Sequence, residues 1–201
     1  MTNEPGSPDT VVVGGGVVGA AIAFQLARLG ARVTLLEREK PAAGATGQSG
    51  ALVRTHYPDA PEATVARAAL HWFANWGELV GGDSGFVRTG FLQFVTPADH
   101  DLLRRNTAMV RDVGVETRIV DAEEIRAIQP GIVVDDDTIA AYEPNSGYAD
   151  PVATTISLIE AARRHGAEIR LGTTVRRLRR DGDRVVGVET DGETIDAGAV
   201  V

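Results

Sequence analysis

The chain contains no cysteine among its 201 residues. That excludes disulfides, thiolate catalysis, Cys-ligated zinc and iron–sulfur clusters, and it fits a reducing, cytoplasmic setting. No apolar run approaches the roughly 20 residues of a membrane-spanning helix. The opening stretch MTNEPGSPD carries neither the basic nor the apolar region of a signal peptide; residues 1–8 read as a disordered lead-in. Positive charge is in the minority. Lys and Arg number 20 against 28 Asp and Glu, a net charge of −8, which disfavours nucleic acid and anionic membranes as partners because phosphates are repelled on average. The four histidines (His56, His71, His100, His165) lack metal-ligand spacing, so no metal is expected. No internal repeat or low-complexity tract interrupts the chain.

What is present is an ordinary globular composition, 43% hydrophobic and 24% charged. A chain of this length buries roughly 70% of its unfolded surface as one or two domains. Thr10–Val13 is a short β-branched run of the kind found in buried parallel strands. From Val17 the period turns helical, with Val18, Ile22, Leu26 and Leu29 on one stripe, and Gly30 suits the stop. Val33–Leu36 is a second apolar run ending in Glu37. The first 37 residues thus read as a strand–helix–strand unit. A helix is expected over about 62–79, with Val65, Ala69, Trp72, Phe73 and Trp76 on its apolar side. Residues 86–96 read as strand, bent around Gly90, and 99–113 as helix. Residues 115–120 and 138–144 are further strands, and 121–130 is a capped short helix stopped by Pro130. Residues 150–171 repeat the helix–strand grammar: Asp150 caps, Pro151 fits the first turn and Gly166 ends the helix. Two strands around Asp-Gly-Asp follow. The closing DAGAVV stands inside a strand, so part of a larger protein is expected to be missing.

Gly14, Gly16 and Gly19 form G-x-G-x-x-G directly after a strand and at the opening of a helix. The first glycine permits the tight turn, the second lets a pyrophosphate approach the backbone, and the third lets helix pack on strand. Free N–H groups and the helix dipole favour the anion. Glu37 follows 18 residues after the last glycine, at the end of the second strand, where a carboxylate accepts from the adenosine ribose and disfavours a 2′-phosphate. The plain alternative is a structural turn with an incidental Glu. On this pattern alone the dinucleotide is either FAD or NAD, and an NAD-dependent dehydrogenase stays open.

The stretches TVVVGGGVVGAAIAFQLARLGARVTLLERE, GATGQSGALVRTHY, GFVRTGFLQFV, AAYEPNSGYADP and the segment from Gly166 onward resemble, in the same order, the D-amino-acid-oxidase-like superfamily of FAD-dependent oxidoreductases. Within it they resemble the glycine and sarcosine oxidases and the sarcosine oxidase beta subunit. The resemblance runs from Asp9 onward. It implies that Gly14, Gly16, Val17, Val18 and Gly19 line the pyrophosphate, and that Glu37 holds the ribose with Arg38 beside it. It implies that Ala45, Thr46, Gly47, Gln48 and Ser49 pass the ribityl chain and flavin edge, and that Val175 meets the adenine through its backbone. For Thr46–Ser49 the plain alternative is a helix-entry loop. Some relatives hold flavin through a His or Cys; with no cysteine and Gln48 in the loop, the resemblance implies non-covalent FAD.

The reaction so implied is oxidation of a small primary or secondary amine or amino acid at its C–N bond, with hydride passing to flavin N5. Arg54 can bind a carboxylate, His56 can act as base or hydrogen-bond partner, and Tyr57 can wall the pocket. Against this stands the plain reading of a surface Arg with His56 and Tyr57 packed in a turn. His71, His100 and His165 are expected to be solvated or packing residues, Trp72 and Trp76 core, and the RRLRR run at 176–180 a solvated face. The expected architecture is α/β: a Rossmann-like FAD-binding domain with parallel sheet and β-meander (9–80 and 146–201), and the first part of a β-rich substrate domain (81–145). Such a fragment is expected to be inactive alone. A non-catalytic dinucleotide-binding chain completed by a partner subunit remains the other alternative.

Overall fold

A computed structural model describes residues 7–201; the first six positions of the expected lead-in lie outside the described residues. In chain order the elements are β1 (Thr10–Val13), α1 (Val17–Arg28), β2 (Val33–Glu37), a 3-10 turn (Ala45–Gln48), β3 (Leu52–Val53), α2 (Ala60–Ala74), α3 (Trp76–Leu79) and β4 (Phe91–Phe94). There follow α4 (His100–Asp112), β5 (Arg118–Val120), α5 (Ala122–Ile128), β6 (Ala140–Glu143), β7 (Gly147–Tyr148) and α6 (Pro151–Arg164). The last are β8 (Glu168–Leu171), β9 (Val175–Asp181), β10 (Arg184–Thr190), β11 (Thr194–Asp196) and β12 (Ala199–Val200). They form two compact units.

The first unit comprises the described residues up to Gly50, with Trp76–Gly85 and Asp150–Val201. Its parallel sheet has the order β12-β1-β2-β8, with Thr10 opposite Val33 and Thr34 opposite Glu168. Val11, Val12, Leu35 and Leu36 are almost wholly buried, as central parallel strands require. An antiparallel meander, β11-β10-β9, packs Val188 and Ile195 on Val11 and Leu36. The RRLRR face of β9 is ion-paired across the meander: Arg176 to Asp191, Arg177 to Glu189 and Arg179 to Asp196. Helix α6 begins where expected, with Asp150 accepting from the N–H groups of Val152 and Ala153.

Helix α1 rotates relative to the expected stripe. Val18 and Leu29 are 69% and 78% exposed, whereas Ala20, Ala23, Phe24 and Ala27 are buried. The buried set keeps the i, i+3, i+4, i+7 spacing. Because α1 packs against both the sheet and α6, the close-packed face takes the small side chains.

The second unit comprises Ala51–Asn75 and Phe86–Ala149. Its antiparallel sheet has the order β4-β6-β5, and β3 pairs with β7. Asp59 caps α2 and a reciprocal Asp121–Glu124 capping box opens α5. The helix expected over 62–79 is broken at Asn75, whose side chain donates to the His71 carbonyl at 2.8 Å. Its buried contact is Ala63 rather than Val65, which is 70% exposed. Residues 51–75 therefore pack with the second unit, through Ala63 on Val110 and Val115, and not with the first as the expected boundary at 80 had it. Conversely, Asp83 and Ser84 belong to the first unit. Their carbonyls accept from Ser157 and Thr154 of α6.

Candidate functional site

The glycine turn joins β1 to α1. Gly14 has φ +110° and its N–H donates to the Leu36 carbonyl at 2.8 Å, tying the turn to the end of β2. Gly16 is the N-cap of α1 and has no side chain to occupy the N–H groups of the first turn. A Cβ at Gly19 would run into the carbonyl oxygen of Gly14, and one at Gly16 would stand 3.1 Å from Thr46 Oγ1. The first strand, turn and helix are therefore as close as backbone atoms permit, and the turn presents backbone N–H groups at a helix N-terminus, the donor set an anion requires.

Two side chains close on this turn from a distance in sequence. Glu37, at the end of β2, accepts the Gly15 N–H on Oε2 at 2.6 Å and the Glu39 N–H on Oε1 at 2.8 Å. Each carboxylate oxygen keeps further acceptor capacity, enough for ribose hydroxyls. Thr46 Oγ1 accepts the Val17 N–H at 3.1 Å, so the loop at 41–49 docks on the start of α1. Ala42, buried with φ +60°, completes the docking by donating its N–H to the Gly15 carbonyl at 3.0 Å. Ala45, Gly47, Gln48 and Ser49 lie exposed along the same loop, and Arg38 is exposed and paired with Glu39. Val175 packs on the cluster of Val11 and Leu36, two residues after Thr173, whose N–H donates to the Glu37 carbonyl. Gly14–Gly19, Glu37, Thr46 and Val175 thus gather at one end of the parallel sheet. The residues present fit a dinucleotide: an anion cradle in the turn, a carboxylate for hydroxyls, and a small-residue loop over both. Gly15 and Ala42 escaped the sequence reading. Gly15 was one more glycine in a run, and nothing in Pro-Ala-Ala-Gly announces a positive φ at alanine.

The substrate-side candidates belong to the second unit. Half-buried Arg54 donates to the His56 carbonyl at 2.8 Å, and its guanidinium stands 4.8 Å from the centre of the Tyr57 ring and 5.8 Å from that of Phe91. Tyr57 thus supports Arg54 and packs towards Ala63 and Val110. His56 is buried, with Nε2 2.9 Å from Asn106 Nδ2. Burial lowers its pKa below the usual value, the Glu143 charge opposes that shift, and Arg54 adds to it. Arg54 and His56 line one cleft of about 220 Å³ with Asn106, Gln93 and Leu103. A larger cavity, about 700 Å³, opens beside Thr55, Glu143 and Ser146. Glu143 is 1% exposed and accepts from the Thr55 N–H and the Ser146 hydroxyl. The only sequence signal for it was an acid closing an otherwise apolar strand. Asn106 gave none. Of the other histidines, His165 lies against Phe24, ring centres 5.8 Å apart, His71 is exposed, and His100 is half-buried with Nε2 lacking a hydrogen-bond partner. No group of metal-ligating side chains occurs among the described residues, and no helix there is long and apolar enough to cross a membrane.

Several known proteins are similar to this chain. The chain is 27% identical over 195 residues to mitochondrial dimethylglycine dehydrogenase of Rattus norvegicus, covering 96% of this chain and 23% of that protein. It is 29% identical over 205 residues to mitochondrial sarcosine dehydrogenase of Homo sapiens, covering 98% and 22%. The crystal structure of L-proline dehydrogenase from P. horikoshii superimposes with a TM-score of 0.91 at 28% identity, covering 98% of this chain and 52% of that one. The chain therefore spans about a quarter of these curated relatives and half of that structure. The family of FAD dependent oxidoreductases called DAO matches residues 9–201, which decides between FAD and NAD: the chain belongs to that family, and its cofactor is FAD.

Proposed function

We propose that this chain supplies the FAD-holding part, and the first substrate-side residues, of an oxidoreductase that oxidises a small amine or amino acid at its C–N bond. The observation that carries the reading is the convergence of Glu37 and Thr46 on the Gly14–Gly19 turn. Relatives named for dimethylglycine, sarcosine and proline support the substrate class.

In this reading FAD is held non-covalently and supplies the two-electron acceptor. The N–H groups of Gly16, Val18 and Gly19, which are not taken by Thr46, Glu37 or Leu36, bind the pyrophosphate, with the Val17 and Val18 side chains against it. Glu37 accepts from the ribose hydroxyls, with Arg38 alongside. Residues 45–49 give the backbone a close approach, and Val175 borders the adenine. Arg54, stacked on Tyr57, offers its remaining N–H donors to a substrate carboxylate. Burial of His56 favours the neutral imidazole, the state in which it hydrogen-bonds to or takes a proton from a substrate ammonium. The relatives contain long segments with no counterpart here, so this chain alone binds FAD weakly and turns amines over little or not at all.

The test is to supply the purified chain with FAD and then sarcosine, dimethylglycine or L-proline, following flavin absorbance and peroxide. Flavin binding with negligible turnover is expected. Robust amine-dependent turnover would overturn the division of labour, and failure of FAD to bind at any excess would overturn the function.

A further inference from the structure

The segment Arg54–Thr55–His56 runs between two hollows of the second unit. Arg54 and His56 line the smaller cleft, whereas Thr55, between them, lines the larger cavity with Glu143, Asn145 and Ser146. This is the two-residue alternation of extended chain. What keeps Thr55 to its side is a carboxylate. Glu143 stands at the last position of β6, and its Oε2 accepts the Thr55 N–H at 2.9 Å and the Ser146 hydroxyl at 2.7 Å. No Lys or Arg ion-pairs with it among the described residues. Its Oε1 is buried without a hydrogen-bond partner, as are Thr55 Oγ1 and His56 Nδ1.

A buried carboxylate served by two neutral donors is a costly way to hold one backbone N–H, because desolvating the charge outweighs two hydrogen bonds. A carbonyl or a Gln side chain would satisfy Thr55 at less expense. Holding Thr55 also sets the direction of the two residues that flank it, Arg54 and His56, which line the smaller cleft. Of the charged groups that act on His56, Glu143 favours its protonated form and Arg54 disfavours it.

The geometry points to Glu143 as a positioning residue: it pins Thr55 from the larger cavity so that Arg54 and His56 face the smaller cleft together. This inference rests on the reading of Arg54 and His56 as substrate-side groups.

Glu143→Gln and Glu143→Ala in the full chain test it through two readouts that need neither flavin nor amine. They are hydrogen exchange at the Thr55 amide and NMR titration of the His56 ring. Their failure therefore leaves the flavin assignment standing, and failure of FAD to bind leaves them unaffected. E143Q retains an acceptor oxygen, so Thr55 protection stays near wild type while His56 titrates at lower pH than in wild type. E143A leaves the Thr55 N–H unpaired, and its protection falls about tenfold or more, while amides of Val110 and Ile125 keep theirs. A structural acceptor alone would not move the His56 titration in E143Q. An unchanged or raised His56 pKa in E143Q overturns the electrostatic role, and unchanged Thr55 protection in E143A overturns the positioning role. If E143A does not fold, Glu143→Asp, whose shorter side chain draws the carboxylate back from the Thr55 N–H, replaces it: Thr55 protection is expected to fall, and unchanged protection overturns the positioning role.

Discussion

Three glycines of one turn are required for three different reasons. Gly14 has a positive φ that a side chain strains, Gly19 lacks room for a Cβ against the Gly14 carbonyl, and Gly16 has an ordinary φ of −78° and guards the space beside Thr46. Gly14→Ala is expected to cost on the order of 1 kcal/mol or more of stability, read from the urea midpoint. Gly16→Val crowds Thr46 and gives up a favoured N-cap residue, so it is expected to lower that midpoint modestly while the chain still folds, and to act chiefly on FAD. His56 makes stability depend on pH. Its folded pKa lies below the ordinary 6.5, so the unfolded chain binds the proton first as pH falls. The stability that neutral His56 contributes is complete above about pH 6.5 and declines below it. Asp9, Glu168 and Asp191 are likewise held below their ordinary values of 3.8, 4.5 and 3.8 by Arg partners, so they act only in stronger acid. His56→Gln should therefore flatten the slope of stability between pH 7 and 5; an unaltered slope would show that another group carries it. At this scale Glu37 and the glycines were legible because their spacing states a chemistry. Glu143 and Asn106 were not, since their roles come from strands and helices brought together across 88 and 50 residues.

Helix ends were easier to read than helix faces. Asp150, Pro151 and Gly166 mark the limits of α6 in the sequence, and the structure uses them so. Asp150→Ala removes the acceptor of two N–H groups and should cost about 1 kcal/mol, measured by urea denaturation; no loss would mean that another group caps the helix. In α1 the largest apolar residues of the sequence stripe, Val18 and Leu29, are not the ones that pack inwards. Ala20, Ala23 and Ala27 are inside because α6 and the sheet both approach that face, and a proximity of that kind leaves no mark on the sequence of one helix. The break at Asn75 was equally hidden, since the apolar period continues through Trp72, Phe73 and Trp76 while the chain passes from the second unit to the first. Strands were placed well where turns enclose them, as with β9 and β10 around Gly182, φ +59°.

The chain combines a parallel sheet ending in the Gly14–Gly19 turn, proposed to hold the dinucleotide, with an antiparallel unit carrying Arg54 and His56. A ligand that binds only the folded state adds RT ln(1 + [L]/Kd), about 2.7 kcal/mol at a hundredfold excess over Kd. FAD should raise the melting temperature accordingly and slow amide exchange first around residues 10–50. Protection confined to the second unit would contradict the assignment. The measurement that tests the account most directly is a visible-absorbance and fluorescence titration of FAD into the purified chain and its Gly16→Val variant. Saturable, one-to-one binding with a shifted flavin spectrum by the wild type, lost in a variant that folds normally, is the predicted result. A folded wild-type chain that leaves the flavin spectrum unchanged at any excess, or a variant that binds as well as wild type, would contradict it.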